Sequence, residues 1–284
     1  MRGVAVVNAG LLAATLTSCA TPGPWTPRTA SPSPALQAAL QRFAPIVVQE
    51  MSFDRMSARW DRPSPLDPDG SGTLADDYQH HTLAEPVPFY ASASEDAERL
   101  YLFYGLYYTA DWSGRALAPT VDHRGDFEGA LVVVSRERQA VEAVITQAHK
   151  RFYLWRRNGG LQLTGDRPVL FSESGGHGLY SFLHWPWHAK GGRRYTRGMQ
   201  DLPGGSLRRI AVSADLGDIV AAMRPLAEIE PFVDARARGF KGLGRGATPP
   251  WFWNGGVASV GSIVRAPAAF YAAMTARGAV ADLE

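Results

Sequence analysis

The chain reads as mainly β, an antiparallel β-sandwich with peripheral helices. Short runs of β-branched and aromatic residues succeed one another from Ile46 to Val212, with Gly, Pro, Asn and Asp between them. No regular helical period separates these runs, as it would if crossovers were building a parallel sheet. Helical spacing is confined to a segment after Ser33 and to two late segments, and no solenoid or propeller period is present.

Ser33 followed by Pro34 is a helix start, because serine caps the free N–H groups of a first turn and proline suits its first position. Leu36, Leu40 and Phe43 then share one stripe, and Pro45 ends the helix. Ile46-Val47-Val48 is the first strand. Pro88 to Ala91, Leu100 to Thr109, Ala130 to Val134, Val141 to Gln147, Arg151 to Arg156, Pro168 to Ser172 and Leu207 to Val212 follow as further strands. Asp218 to Leu226 and Pro267 to Arg277 read as the late helices.

The N-terminus implies export. Residues 1–18 form a lipoprotein signal peptide: Arg2 supplies the positive region, and Val4 to Leu16 is an apolar run too short to span a membrane. Leu16-Thr17-Ser18-Cys19 closes it and resembles the bacterial lipobox, which makes Cys19 the lipidation site. Cys19 is also the only cysteine, so the domain has no internal disulfide and must rely on burial or metal. Acyl chains, palmitate among them, would anchor the protein to the cell envelope, with Ala20 favouring the outer membrane. An ordinary signal peptide with an incidental cysteine is the plainer alternative. Residues 19–35, with five prolines between Thr21 and Pro34, form an extended Pro/Ser/Thr-rich tether. Residues 36–284, about 250 residues, form a single β-sandwich domain.

The net charge of +2 falls by one when Arg2 leaves with the signal. Lys190 with Arg193, Arg194 and Arg197, and Arg208 with Arg209, make only local basic patches that read as solvated surface. No nucleic-acid partner is expected.

The densest concentration of ligand-type side chains is Asp122-His123-Arg124-Gly125-Asp126-Phe127-Glu128-Gly129, which leads into the strand Ala130 to Val134. If Asp126 opens that strand, Asp126 and Glu128 project to one face while Phe127 turns into the core. Gly125 then gives the backbone freedom for His123 to fold back towards them. Two carboxylates and an imidazole meeting at one point call for a cation between them, calcium or magnesium by the hardness of the oxygens. The plain alternative is a solvated turn in which His123 and Arg124 pair with the acids.

Several segments occur in a telling order: Phe43 to Val47, Leu102 to Gly105 with Tyr107-Tyr108, Gly125 to Gly129, Thr146 to His149, and Pro168 to Ser172 continuing through Ser174 to His177. In that order they resemble the vacuolar protein sorting-associated protein 62 family. The His-x-x-Asp-x-Glu spacing is, more distantly, similar to the necrosis- and ethylene-inducing-like proteins, whose motif binds a divalent cation inside a β-sandwich. The resemblance, spanning Phe43 to Tyr180, implies His123, Asp126 and Glu128 as metal ligands, with Asp111 a looser fourth. Phe127 stands where both families usually have tryptophan, and Arg124-Gly125 lacks a second histidine common in the necrosis-inducing group. Membrane-damaging activity is therefore not implied.

His149 and His177 are further candidates, each at the end of an apolar strand beside small residues that let an imidazole enter a shared cavity. His149 could equally be a hydrogen-bonded strand-end histidine, whereas His177 is the stronger site candidate. Ser174 lacks a nucleophile elbow around it. A second oxygen-rich stretch begins with calcium-loop spacing, Asp67, Asp69 and Ser71 with Gly72 following Gly70, but Tyr78 occupies the place of the closing glutamate, so Asp76 or Asp77 would have to serve. The alternative there is an exposed Asp/Gly turn. His184 to His188 and Pro249 to Asn254 hold four tryptophans in proline-stiffened segments that could stack on sugar rings, lie at a membrane surface, or plug the end of a sandwich.

Two functions fit. The first is a non-catalytic, envelope-anchored binding protein for a glycan or lipid ligand, its pocket shaped by the cation. The second is a metal-dependent hydrolase with Asp126 and Glu128 on the metal, a bound water as nucleophile and His177 as acid/base. The first is favoured, because no unassigned general base stands out.

Overall fold

The computed structural model describes residues 32–51, 59–65, 77–79, 90–115, 118–148, 151–182, 209–212, 224–225, 263–264, 266–277 and 280–282. Helix α1 (Pro34–Arg42) starts as its sequence dictates, with the Ser33 hydroxyl accepting the Leu36 N–H. Its Ala39 and Leu40 are buried, and the chain turns at Phe43 into strand β1 (Ile46–Met51). The remaining strands are β2 (Tyr90–Glu95), β3 (Arg99–Arg115), β4 (Ala118–Ser135), β5 (Ala140–Ala148), β6 (Arg151–Arg156), β7 (Leu163–Thr164), β8 (Arg167–Ser172), β9 (Leu179–Ser181), β10 (Arg209–Val212), β11 (Arg224–Pro225) and β12 (Val280–Asp282), with helix α2 (Pro267–Arg277) before β12.

Seven strands make one sheet in the order β11-β2-β3-β4-β5-β6-β12; the other has the order β10-β1-β8-β7, with β9 also on β8. The run β2 to β6 is an antiparallel meander joined by short connections, the arrangement that consecutive short strands favour. Two pairs depart from the antiparallel expectation: β1 with β8 and β11 with β2 are parallel. Arg224 and Pro225 are therefore strand residues, where the sequence suggested part of a helix; their pairing with Tyr90 and Ala91 overrides local propensity.

The larger correction concerns β4. The acidic motif is not a turn ahead of a strand, because β4 runs through it and pairs with β3 on both sides of a register shift that skips Asp122. Gly125 does take a left-handed backbone, φ 68°, but within the strand.

Both faces of the seven-stranded sheet are covered. Leu102, Tyr104, Leu106 and Tyr108 of β3 and Ala130, Val132 and Val134 of β4 face the other sheet, meeting Val47, Val48, Leu170, Phe171, Leu179 and Tyr180. Tyr101, Phe103, Tyr107, Phe127, Leu131 and Val133 face outward into a second core closed by Ile263, Tyr271 and Met274. This double burial explains why these strands read as continuous apolar runs rather than as alternating ones. It also reassigns the acidic motif. Phe127 does point to a core, the outer one, and so Asp126 and Glu128, 9% and 3% exposed, are buried between the sheets.

Gly105 and Gly129 are direct cross-strand partners on that outer face. A Cβ on Gly105 would lie 2.3 Å from Phe127 Cζ, and one on Gly129 2.5 Å from Phe103 Cζ, so the two rings occupy the space that the glycines leave. We expect Gly129→Ala to destabilise the fold by about 1–3 kcal/mol through overpacking. Urea unfolding checks this, with Gly165→Ala, whose Cβ would meet nothing within 4 Å but whose φ of +60° adds only local strain, as the milder comparison.

Candidate functional site

Burying Asp126 and Glu128 forces the sandwich to find them partners, and the nearest is His177. The chain leaves β8 at Ser172 and turns through Gly175, φ 84°, to His177, itself left-handed at φ 53°. A non-glycine residue there is uncommon, although histidine tolerates it better than most. The result is a ring with no solvent exposure, lying flat on Tyr108 with centroids 3.9 Å apart and planes 3° apart. His177 Nδ1 is 3.1 Å from Asp126 Oδ2, and Nε2 is 3.7 Å from Asp61 Oδ1. Burial alone would lower the pKa of the imidazole, but the hydrogen bond to Asp126 and the charges of Asp126 and Asp61 outweigh it and raise the value to about 9. At neutral pH the ring is an imidazolium between carboxylates, stacked on a phenol face.

The surroundings lock this arrangement. Tyr108 donates its hydroxyl proton to Gln49 Oε1 at 2.9 Å and lies 3.0 Å from Ser172 Oγ, which donates to the His177 carbonyl at 3.1 Å. Asp61 Oδ1 accepts from Trp112 Nε1 at 2.9 Å and from the Gly175 N–H at 2.8 Å. Glu50 Oε2 accepts the Ser174 N–H at 3.0 Å. Ser174 thus uses its backbone to hold a turn.

The predicted residues separate into groups. Asp126, Glu128 and His177 are buried at the same end of the inter-sheet core, and Asp126 touches His177. Asp111 on β3 is half-buried, with His123 of β4 as its cross-strand Cα partner. The side chain of His123 lies outside the described residues, as do all of His149, Asp67, Asp69, Ser71 and Asp76. Asp77 is buried, and its Oδ2 accepts the Tyr107 hydroxyl at 2.7 Å. This contact places Asp77 against the outer core.

Sequence reasoning missed Glu50, Asp61 and Tyr108. Glu50 carried a usable signal, since it lies two residues beyond Val48 in a strand and so shares the face of a core residue. Asp61, in Arg59-Trp60-Asp61-Arg62-Pro63, carries no periodic signal; only the tertiary fold brings it to Gly175.

Carboxylates with an imidazole are the donor chemistry of a hard divalent cation. Among the described residues, however, no three His, Cys, Asp or Glu side chains converge at ligand distance, and Asp126 Oδ2 faces His177.

No family model and no curated protein matches the chain. Among solved structures, it is similar to one titled a toxin fold for microbial attack and plant defense, with 20% identity over 54% of this chain and 71% of that one, at a TM-score of 0.40. A necrosis- and ethylene-inducing protein from the causal agent of cocoa's witches' broom disease gives 18% identity over 54% and 69%, at 0.34. NLPPya in complex with glucosamine gives 22% over 56% and 72%, at 0.38. These likenesses assign no role to any residue. The likeness to the vacuolar protein sorting-associated protein 62 family rests on the sequence motifs alone.

Removing one member of a buried ion group strands the others. His177→Ala, measured by urea unfolding in chelator-containing buffer, is expected to lose about 3–5 kcal/mol. His177→Asn, which tolerates the left-handed backbone but carries no charge, should lose nearly as much. Losses for both below about 1 kcal/mol, the scale of an exposed ion pair, would show that the ring does not compensate these carboxylates.

Proposed function

We propose that this chain is an envelope-anchored bacterial lipoprotein whose β-sandwich is a non-catalytic binding domain. The observation that carries the choice over a hydrolase is the complete enclosure of His177. A general acid/base must reach the proton that it moves. The His177 ring has no exposed face, stacks on Tyr108 and meets carboxylates through its nitrogens, which suits a counter-ion better than a proton shuttle.

The reading includes a divalent cation, calcium or magnesium, held by Asp126 and Glu128 with Asp111 and His123 across the ladder. Its support is the hardness of the oxygens and the burial of Asp126 and Glu128. Such an ion would supply charge compensation and a fixed spacing of strands. Asp126 can serve it through one oxygen while the other stays with His177, which would orient the carboxylate. The ligand class is glycan or lipid, for which the tryptophans of His184 to His188 and Pro249 to Asn254 are the sequence-level ground. The anchor rests on the sequence from Leu16 to Cys19.

Metal analysis of the full chain purified in detergent is the first test, with about one equivalent of calcium or magnesium expected for the single site proposed. Asp126→Ala should lower both bound metal and melting temperature, and chelator should lower the melting temperature of the wild type alone. A wild type without divalent ion and indifferent to chelator would end the cation reading. A panel of phosphoester, ester and glycoside substrates should show no turnover above the Asp126→Ala control, and robust wild-type turnover lost in His177→Ala would return the function to hydrolysis. Cys19→Ala should release the protein from membranes and abolish acyl labelling; unchanged fractionation and labelling would sink the anchor.

A further inference from the structure

Three elements grip the turn from Glu173 to Gly178. From β1, Glu50 Oε2 accepts the Ser174 N–H at 3.0 Å, and Gln49 Nε2 donates to the Ser172 and Glu173 carbonyls at 3.4 Å each. From the 59–65 segment, Asp61 Oδ1 accepts the Gly175 N–H at 2.8 Å. From β3, the Trp112 N–H donates to the Gly175 carbonyl at 3.2 Å. Two of these holds are carboxylates, and a third carboxylate, Glu173, belongs to the turn itself.

Glu50 is a buried carboxyl within the grip. It is 4% exposed, and the titratable groups acting on it are Asp61 from the 59–65 segment and Glu173 from the turn, both of them acids. His177 lies on the far side of Asp61. On β10, Ile210 holds the register position opposite Glu50 and Arg209 the one opposite Met51; on β8, Ser172 holds the one opposite Gln49. Burial is the largest influence on the Glu50 carboxyl and favours its neutral form. The Ser174 N–H favours the ion, Asp61 and Glu173 oppose it, and the balance raises the pKa from 4.5 to about 7.

We propose that Glu50 is a pH-operated latch on the Glu173–Gly178 turn. Protonated, Glu50 accepts the Ser174 N–H as a neutral carboxyl and the turn stays closed. Ionised, it becomes one more negative charge beside Asp61 and Glu173 in a buried place, and the turn loosens, easing His177 away from Asp126. A carboxyl that binds its proton more tightly in the folded state stabilises that state at low pH and loses the contribution as pH rises from 4.5 to about 7. The latch thus closes in acid and opens as pH rises towards neutrality, whatever the site binds.

Amide hydrogen exchange on the full chain in metal-free buffer tests this, corrected for the intrinsic effect of pH. In wild type, protection at Glu173, Ser174 and Gly175 should fall at least tenfold, the consequence of one pH unit or more of proton linkage, between about pH 4.5 and pH 7, while β5 amides such as Val144 stay protected. In Glu50→Gln, which keeps an acceptor and cannot ionise, protection should be flat with pH. Glu173→Gln, which removes one repelling neighbour, should move the wild-type midpoint down. A flat wild-type profile, the same pH dependence in Glu50→Gln, or an unmoved midpoint in Glu173→Gln should Glu50→Gln fail to fold, would overturn the latch.

Discussion

The charged end of this sandwich depends on the contact between the His177 imidazole and the Asp126 carboxylate. A strand buried on both faces has no polar side on which to leave an acid, and β4 carries two acids in phase with its inward-facing valines. The nearest cation is delivered by a turn that costs backbone strain at His177. Asp61, Glu50, Gln49, Trp112 and Ser172 are each placed so as to hold that turn or that ring. The site is thus a response to the fold's topology, with chemistry concentrated where the ladder leaves charges to be balanced.

Much of the fold was legible because local rules and tertiary structure agree. Ser33-Pro34 caps and opens a helix, the run from Arg151 to Arg156 is a strand at those bounds, and Pro267 to Arg277 is a helix. The length of β4 was not legible, since Asp, His, Arg and Gly between Asp122 and Gly129 argue locally for a turn. Their pairing with β3 decides otherwise, and pairing partners are invisible to a local pattern. The same holds for the parallel pair of β1 and β8, whose strands are far apart in sequence.

Among the buried polar cluster, Asp126, Glu128 and His177 were singled out in the sequence, while the residues that hold His177 in place were not. Period-two spacing correctly put Asp126 and Glu128 on one face, but spacing cannot say whether that face is wet or dry. Alternation failed as a guide here because the outer face is also covered, by α2 and Ile263, so both parities of β3 and β4 are apolar. Asp61, on a segment without periodicity, became a site residue only through the Gly175 N–H and the Trp112 indole that reach it.

Covering the outer face with α2 has a consequence for the order in which the chain can assemble. The meander from β2 to β6 consists of sequence-local hairpins, which close early because little chain entropy is lost in joining neighbours. Its outer face, however, presents Tyr101, Phe103, Tyr107, Phe127, Leu131 and Val133 as one aromatic and aliphatic surface, and the helix that shields it begins at Pro267, long after β6 ends at Arg156. During synthesis a formed meander would therefore wait with that surface bare and with the β6 edge unpaired until β12 arrives. Such an intermediate exposes unpaired edge and apolar surface together, the combination that favours aggregation. A late-arriving helix and edge strand make the docking of residues 267–282, rather than formation of the sheet, the step that covers this surface.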